Sequence, residues 1–113
     1  MTYYHGGPHW FKVGKKILPP IRTGARCCSD LVEENNPHRR DKVYVVTTME
    51  AALLYACTHR RGSVYEVAPG GMLEEDPDCD AVGLSFQCDE AIILRVHKMS
   101  FAQTAYYRQE IFA

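Results

Sequence analysis

Apolar positions along this chain fall into short β-branched and aromatic runs, with one block of helical period between them. Lys42-Val43-Tyr44-Val45-Val46-Thr47 is β-branched and aromatic and predicts a strand. Ser63–Ala68 (SVYEVA) predicts a second strand, closed by Pro69-Gly70-Gly71, and Leu84–Cys88 a short third. Ala91–Val96 (AIILRV) gives the strongest buried-strand signal. Thr2–His5 predicts a strand that ends in a turn at Gly6-Gly7-Pro8. Met49, Ala52, Leu53, Ala56 and Cys57 follow one another at i, i+3, i+4, i+7 and i+8, the spacing of a helix face. Thr47 and Glu50 offer that helix a capping box. Arg60 and Arg61 suit its negative end, and Gly62 stops it. Ser100-x-x-Gln103 predicts another cap and a helix over the tail. Met72–Asp80 reads as an acidic turn around Asp76-Pro77. Pro19–Lys42, with three prolines and many charges, reads as a long loop of the kind that usually carries function. Strands outnumber helices, and no composition shift divides the chain. The class is α+β in one domain, residues 1–113.

Length and composition agree with that picture. A chain of 113 residues buries roughly two-thirds of the surface its unfolded form exposes. Hydrophobic residues are 46% and charged residues 24%, an ordinary globular mixture. The net charge of −1 argues against a general nucleic-acid binder, although a local basic patch survives such averaging. The longest nearly unbroken apolar run, Met49 to Cys57, is far short of the about 20 residues of a membrane span, so no membrane partner is expected. The segment Met1–Gly7 has neither the basic nor the apolar region of a secretory leader. The five cysteines, Cys27, Cys28, Cys57, Cys79 and Cys88, include an adjacent pair and no C-x-x-C. They read as reduced thiols of a cytoplasmic protein rather than a disulfide framework. Zinc wants two closely spaced ligand pairs, which Cys27-Cys28 and His38 do not make, so no metal is expected.

The strong local motifs of phosphate-binding loops, dinucleotide folds, serine hydrolases and zinc proteases are absent. Three polar features stand out. His5-Gly6-Gly7 ends a strand with glycines that let a ligand approach the backbone. Tyr44 sits inside a strand that leads into a capped helix. Leu73-Glu74-Glu75-Asp76-Pro77-Asp78 gathers carboxylates in one turn. Taken singly, each has an ordinary reading: a glycine turn, a packed tyrosine, a solvated acidic loop.

Their order is less ordinary. Tyr4-His5-Gly6, Val43-Tyr44-Val45-x-Thr47-x-x-x-Ala51-Ala52, Val64-Tyr65-Glu66-Val67-x-Pro69-x-Gly71, Glu75-Asp76-Pro77, and Ser85-Phe86 with Leu94-Arg95-Val96 follow in sequence. This series resembles the rifamycin ADP-ribosyltransferases of bacteria, the small Arr family, from Tyr4 to about Val96. The resemblance implies an ADP-ribosyltransferase-like fold, two packed small β-sheets with one or two flanking helices around an NAD cleft. It implies that His5 hydrogen-bonds the adenosine-side ribose of NAD. It implies that the Gly6 backbone meets the nicotinamide carboxamide, that Tyr44 stacks on the nicotinamide ring, and that Asp76 is catalytic. NAD would be a co-substrate. The acceptor of ADP-ribose would be a small hydroxyl compound such as a rifamycin, or a macromolecule. The chain lacks the Q/E-x-E motif of broader ADP-ribosyltransferases, as the Arr family does. It departs from that family in a longer stretch between His5 and Tyr44, and in Gly7 where a hydroxyl residue is usual. These departures leave the acceptor open.

The residue chemistry suits such a reaction. Cleaving the nicotinamide–ribose bond builds oxocarbenium-like charge, which a fixed carboxylate stabilises. The same carboxylate can take a proton from an incoming hydroxyl. Arg22, Arg26, Arg39 and Arg40 are candidates for the pyrophosphate, since arginine matches phosphate geometry. The Pro19–Lys42 loop is expected to cover the acceptor side. Two other readings stay open: a non-enzymatic NAD or ADP-ribose binder, and an RNA 2′-phosphotransferase-like enzyme.

Overall fold

The structure is a computed structural model and describes residues 1–19 and 41–112, with the side chains of 111 and 112 left aside. The Pro19–Lys42 loop expected to cover the acceptor side, with Arg22, Arg26, Cys27, Cys28, His38, Arg39 and Arg40, therefore falls almost wholly outside the described residues.

Seven strands and two helices follow in order: β1 (Tyr3–Pro8), β2 (Lys16–Ile17), β3 (Val43–Val46), α1 (Met49–Ala56), β4 (Gly62–Gly70), β5 (Glu74–Glu75), β6 (Ser85–Cys88), β7 (Glu90–Lys98) and α2 (Phe101–Phe112). All strand pairs are antiparallel, in the order β2-β7-β4-β1-β3-β6-β5. The α+β class stands. The expectation of two separate sheets is corrected, because one ladder runs through all seven strands. Its weak point is the β1/β3 junction, where Tyr4↔Val46 is the one register pair. By contrast β1 and β4 pair over six residues.

Strand alternation sorts side chains to two sides. Val43, Val45, Tyr65, Val67, Cys88 and Ile93 share one buried cluster, drawn from strands on both sides of the junction. The two halves of the sheet thus share one core. On the other side Val46 and Val64 pack against Ala52 and Ala56 of α1.

Several local expectations shift by a few residues, each for a visible reason. Gly6, Gly7 and Pro8 do not turn; they continue β1 opposite Val64, Ser63 and Gly62. Gly6 is needed because α1 lies flush on it: a Cβ there would stand 2.2 Å from the Ala52 carbonyl oxygen. The fully buried Tyr65 hydroxyl donates to the Pro8 carbonyl and secures the strand end. Thr48, not Thr47, caps α1, accepting from the Ala51 amide at 3.2 Å. Thr47 instead donates to the Gly83 carbonyl at 2.8 Å. The helix stops at Ala56, so Arg60 and Arg61 lie beyond its last turn. Arg108 of α2 takes the expected cation's place, donating from Nε to Cys57 O at 2.8 Å and from Nη2 to His59 O at 3.0 Å.

Strand β4 runs on through Pro69 and Gly70, past the end of β1, where the missing proline N–H interrupts no second ladder. Glu74 and Glu75 form a short edge strand inside the segment expected to be a turn. The buried-strand expectation for Ala91–Val96 is corrected: Ala91 and Ile93 are buried, but Ile92 is 39% and Leu94 56% exposed. A bulge lies there, for Glu66 faces Arg95 and Val67 faces Ile93, leaving Leu94 unpaired. At Ser100 the expected cap is present in both directions, Gln103 N to Ser100 Oγ at 3.1 Å and Ser100 N to Gln103 Oε1 at 3.0 Å. Among the described residues no helix is long and apolar enough to cross a membrane.

Candidate functional site

The β1/β3 junction is where the sheet opens. An unbroken antiparallel ladder would set Gly6 opposite Tyr44, two steps beyond Tyr4↔Val46. There the His5 side chain does the joining instead, with Nδ1 2.8 Å from the Tyr44 carbonyl oxygen. A carbonyl only accepts, so Nδ1 carries the proton in this contact. Burial lowers the His5 pKa from its ordinary 6.5, against the opposing pull of the Tyr44 carbonyl. The ring is therefore neutral at neutral pH, and Nε2 keeps its lone pair. Gly7 borders that nitrogen: a Cβ there would come within 3.2 Å of His5 Nε2 and 3.5 Å of the Phe11 ring.

His5 and Tyr44 meet through the Tyr44 backbone, and their side chains leave on opposite sides. His5 alternates with Tyr4 and lies on the side of Tyr3, Gly7 and Phe11. Tyr44 alternates with Val43 and Val45, which face the main core, and so lies on the α1 side with Val46. Tyr44 is half-buried and directly faces Gln87, which in turn faces Glu74. Gln87 is buried and donates from Nε2 to Glu74 Oε1 at 2.8 Å, while its Oε1 has no hydrogen-bond partner. Tyr44, Gln87 and Glu74 thus form one polar row across three strands.

Asp76 heads the next row. Its amide donates to Ser85 O at 3.0 Å, continuing the β5/β6 ladder by one residue. Its buried carboxylate accepts from Ser85 Oγ at 2.9 Å on Oδ2 and from the Asp78 amide at 2.9 Å on Oδ1. These donors hold it in one orientation. Asp76 and Ser85 share the α1 side with Val46, and therefore with Tyr44. Glu75 faces the other way and accepts from the Gly83 amide at 2.9 Å.

The expected residues are thus partly gathered. Gly6 and His5 lie beside Tyr44 at the opening. Asp76 shares the side of the Tyr44 ring but belongs to the far strand pair, and three strand spacings of about 4.8 Å separate its backbone from β1 along a flat sheet. Among the described residues the polar contacts of Asp76 are with its own turn and β6. Sequence reading missed Gln87 and the alternation that sets Glu74 and Asp76 on one side of an edge strand. The i, i+2 spacing of those acids was the available signal, hidden by the charge of the whole segment. The three described cysteines are free; burial pushes Cys88 up to about 11 and raises Cys57, so neither is a reactive thiolate. Comparison of the sequence with models of known protein families and with curated proteins gave no match.

Proposed function

We propose that the protein is an NAD-dependent mono-ADP-ribosyltransferase, which cleaves the nicotinamide–ribose bond and passes ADP-ribose to an acceptor. The observation that carries this reading is the open junction. The two segments that resemble the NAD-handling parts of the rifamycin enzymes, Tyr4-His5-Gly6 and Val43-Tyr44-Val45, lie side by side where the sheet parts. A neutral imidazole with a free Nε2 suits a ribose hydroxyl. The half-buried Tyr44 suits a departing aromatic ring. The unpartnered Gln87 oxygen beside Tyr44 suits a carboxamide N–H. Asp76, oriented by Ser85 and the Asp78 amide, would face the charge that develops on the ribose and then accept the proton of the incoming hydroxyl.

A second reading, a module that holds NAD or ADP-ribose without cleaving it, is favoured by one observation. Both oxygens of Asp76 already accept a bond within the turn. Nicotinamide release from NAD separates the two. The transferase reading expects release by the native chain and a fall of about 10²–10³ in Asp76→Asn, which keeps the shape of the side chain. Glu75→Gln, on the other side of the strand, should change release little. Absence of release from the native chain, or an Asp76→Asn variant as fast as the native chain, overturns the transferase reading.

A further inference from the structure

A cleft of about 740 Å³ opens at the start of β4, between the turn after α1 and the start of α2. Clefts of about 300–1,000 Å³ are the usual size for small-molecule sites. Arg60, Arg61, Lys98 and Arg108 line it together with His9, and among the described residues no Asp or Glu does. Arg60, Arg61 and Lys98 make no ion pair among the described residues. Four cations gathered in a chain of net charge −1 repel one another unless an anion joins them. Arg108 is also preorganised. Two of its five N–H donors are spent on the Cys57 and His59 carbonyls, which fix the guanidinium and leave its remaining donors for a ligand.

Phe101 adds a second kind of recognition. It begins α2, lines the same cleft and is 92% exposed. An apolar ring held in water beside several cations has no packing role in this fold. It suits a flat ring that stacks while its phosphate meets the arginines.

We infer that this cleft binds a nucleotide unit, phosphate on Arg60, Arg61, Lys98 and Arg108 and base against Phe101, either as a free nucleotide or as part of a single strand. The site is distinct from the β1/β3 opening and does not depend on the activity proposed for it. Its residues lie on the turn after α1, the end of β7 and α2.

The test is fluorescence anisotropy with a 5′-fluorescein single-stranded hexathymidylate, competed by unlabelled hexathymidylate, thymidine 5′-monophosphate and inorganic phosphate. Binding should weaken with salt, with a logarithmic slope near −0.7 for each phosphate engaged. Arg60→Glu with Arg61→Glu should weaken it by about tenfold or more. Phe101→Ala should weaken the oligonucleotide and the monophosphate by about 5- to 100-fold and spare inorganic phosphate. Displacement by the monophosphate identifies a free-nucleotide site, and displacement by the oligonucleotide alone identifies a strand site; either supports the inference. Thermal melting verifies that the variants fold, and Lys98→Ala with Phe101→Ala replaces the charge reversal if that one does not. Binding unchanged by these substitutions, or phosphate competing as well as the monophosphate, overturns the inference. Nicotinamide release should be unchanged in the same variants, so the two proposals fail separately.

Discussion

The two halves of the sheet, β2-β7-β4-β1 and β3-β6-β5, are held together by opposite means. In the first half the critical positions are those without side chains. Gly6 lets α1 rest on β1, and a Cβ on Gly62 would stand 2.0 Å from the Ala56 carbonyl oxygen. In the second half the critical positions are polar and bonded to one another: Asp76 with Ser85, Gln87 Nε2 with Glu74, Glu75 with the Gly83 amide. Charge divides the same way. The cations Arg60, Arg61, Lys98 and Arg108 cluster at the end of the first half, and Glu74, Glu75, Asp76, Asp78 and Asp80 follow one another at the rim of the second. The lesson is that stability and the proposed chemistry rest on different residues in the first half and on the same residues in the second. There Asp76, the residue proposed to be catalytic, also holds the edge turn.

The largest effect should come from breaking the first half. Gly6→Ala places a methyl against backbone that cannot move without α1, and should cost about 3 kcal/mol or more. Thermal melting should then fall by more than about 10 °C. Gly14→Ala sharpens the point. Gly14 has φ 85° and open space around it, so only the left-handed backbone is penalised, by about 1–2 kcal/mol. Equal melting losses for the two would refute the close fit of α1 on β1.

Next in size is the entanglement of the second half. Ser85→Ala removes the hydroxyl that orients the buried Asp76 carboxylate, at a cost of about 1.5–3 kcal/mol. A denaturant titration should show it as a lower midpoint with an unchanged slope. If Asp76 is held for chemistry as well as for the turn, the same variant slows nicotinamide release at a temperature where it is fully folded. Loss of midpoint without loss of rate would leave Ser85 with the turn alone.

The smallest effect concerns the join between the halves. The folded His5 takes up a proton less readily than the unfolded one, whose pKa is 6.5. As pH falls through 6.5 the unfolded chain gains protons first, so the His5 contribution to stability is full above that pH and declines below it. Melting temperatures from pH 7.5 to 5 should show this decline. His5→Gln should flatten it. An identical slope in the variant would place the titrating group elsewhere.

Much of this was legible in the residues themselves. The β-branched and aromatic runs at Val43–Val46 and Ser63–Ala68 and the i, i+3, i+4, i+7 spacing from Met49 to Ala56 mark elements that short-range pattern decides. The cap at Ser100 is equally local, since both partners lie within one turn. Tertiary structure decided what depends on residues distant in sequence. Gly6 and Gly7 look like a turn until Ala52 and Ser63 come to lie against them. Glu74 and Glu75 look like solvated turn until β6 offers them a ladder. Arg60 and Arg61 look like helix-end cations until Arg108, 51 residues beyond Cys57, takes that role and leaves them facing a cleft. Local pattern sets which elements form, because their hydrogen bonds and side-chain periods close over a few residues. The opening at His5, the row at Tyr44 and the basic cleft arise only when strands from opposite ends of the chain share one sheet.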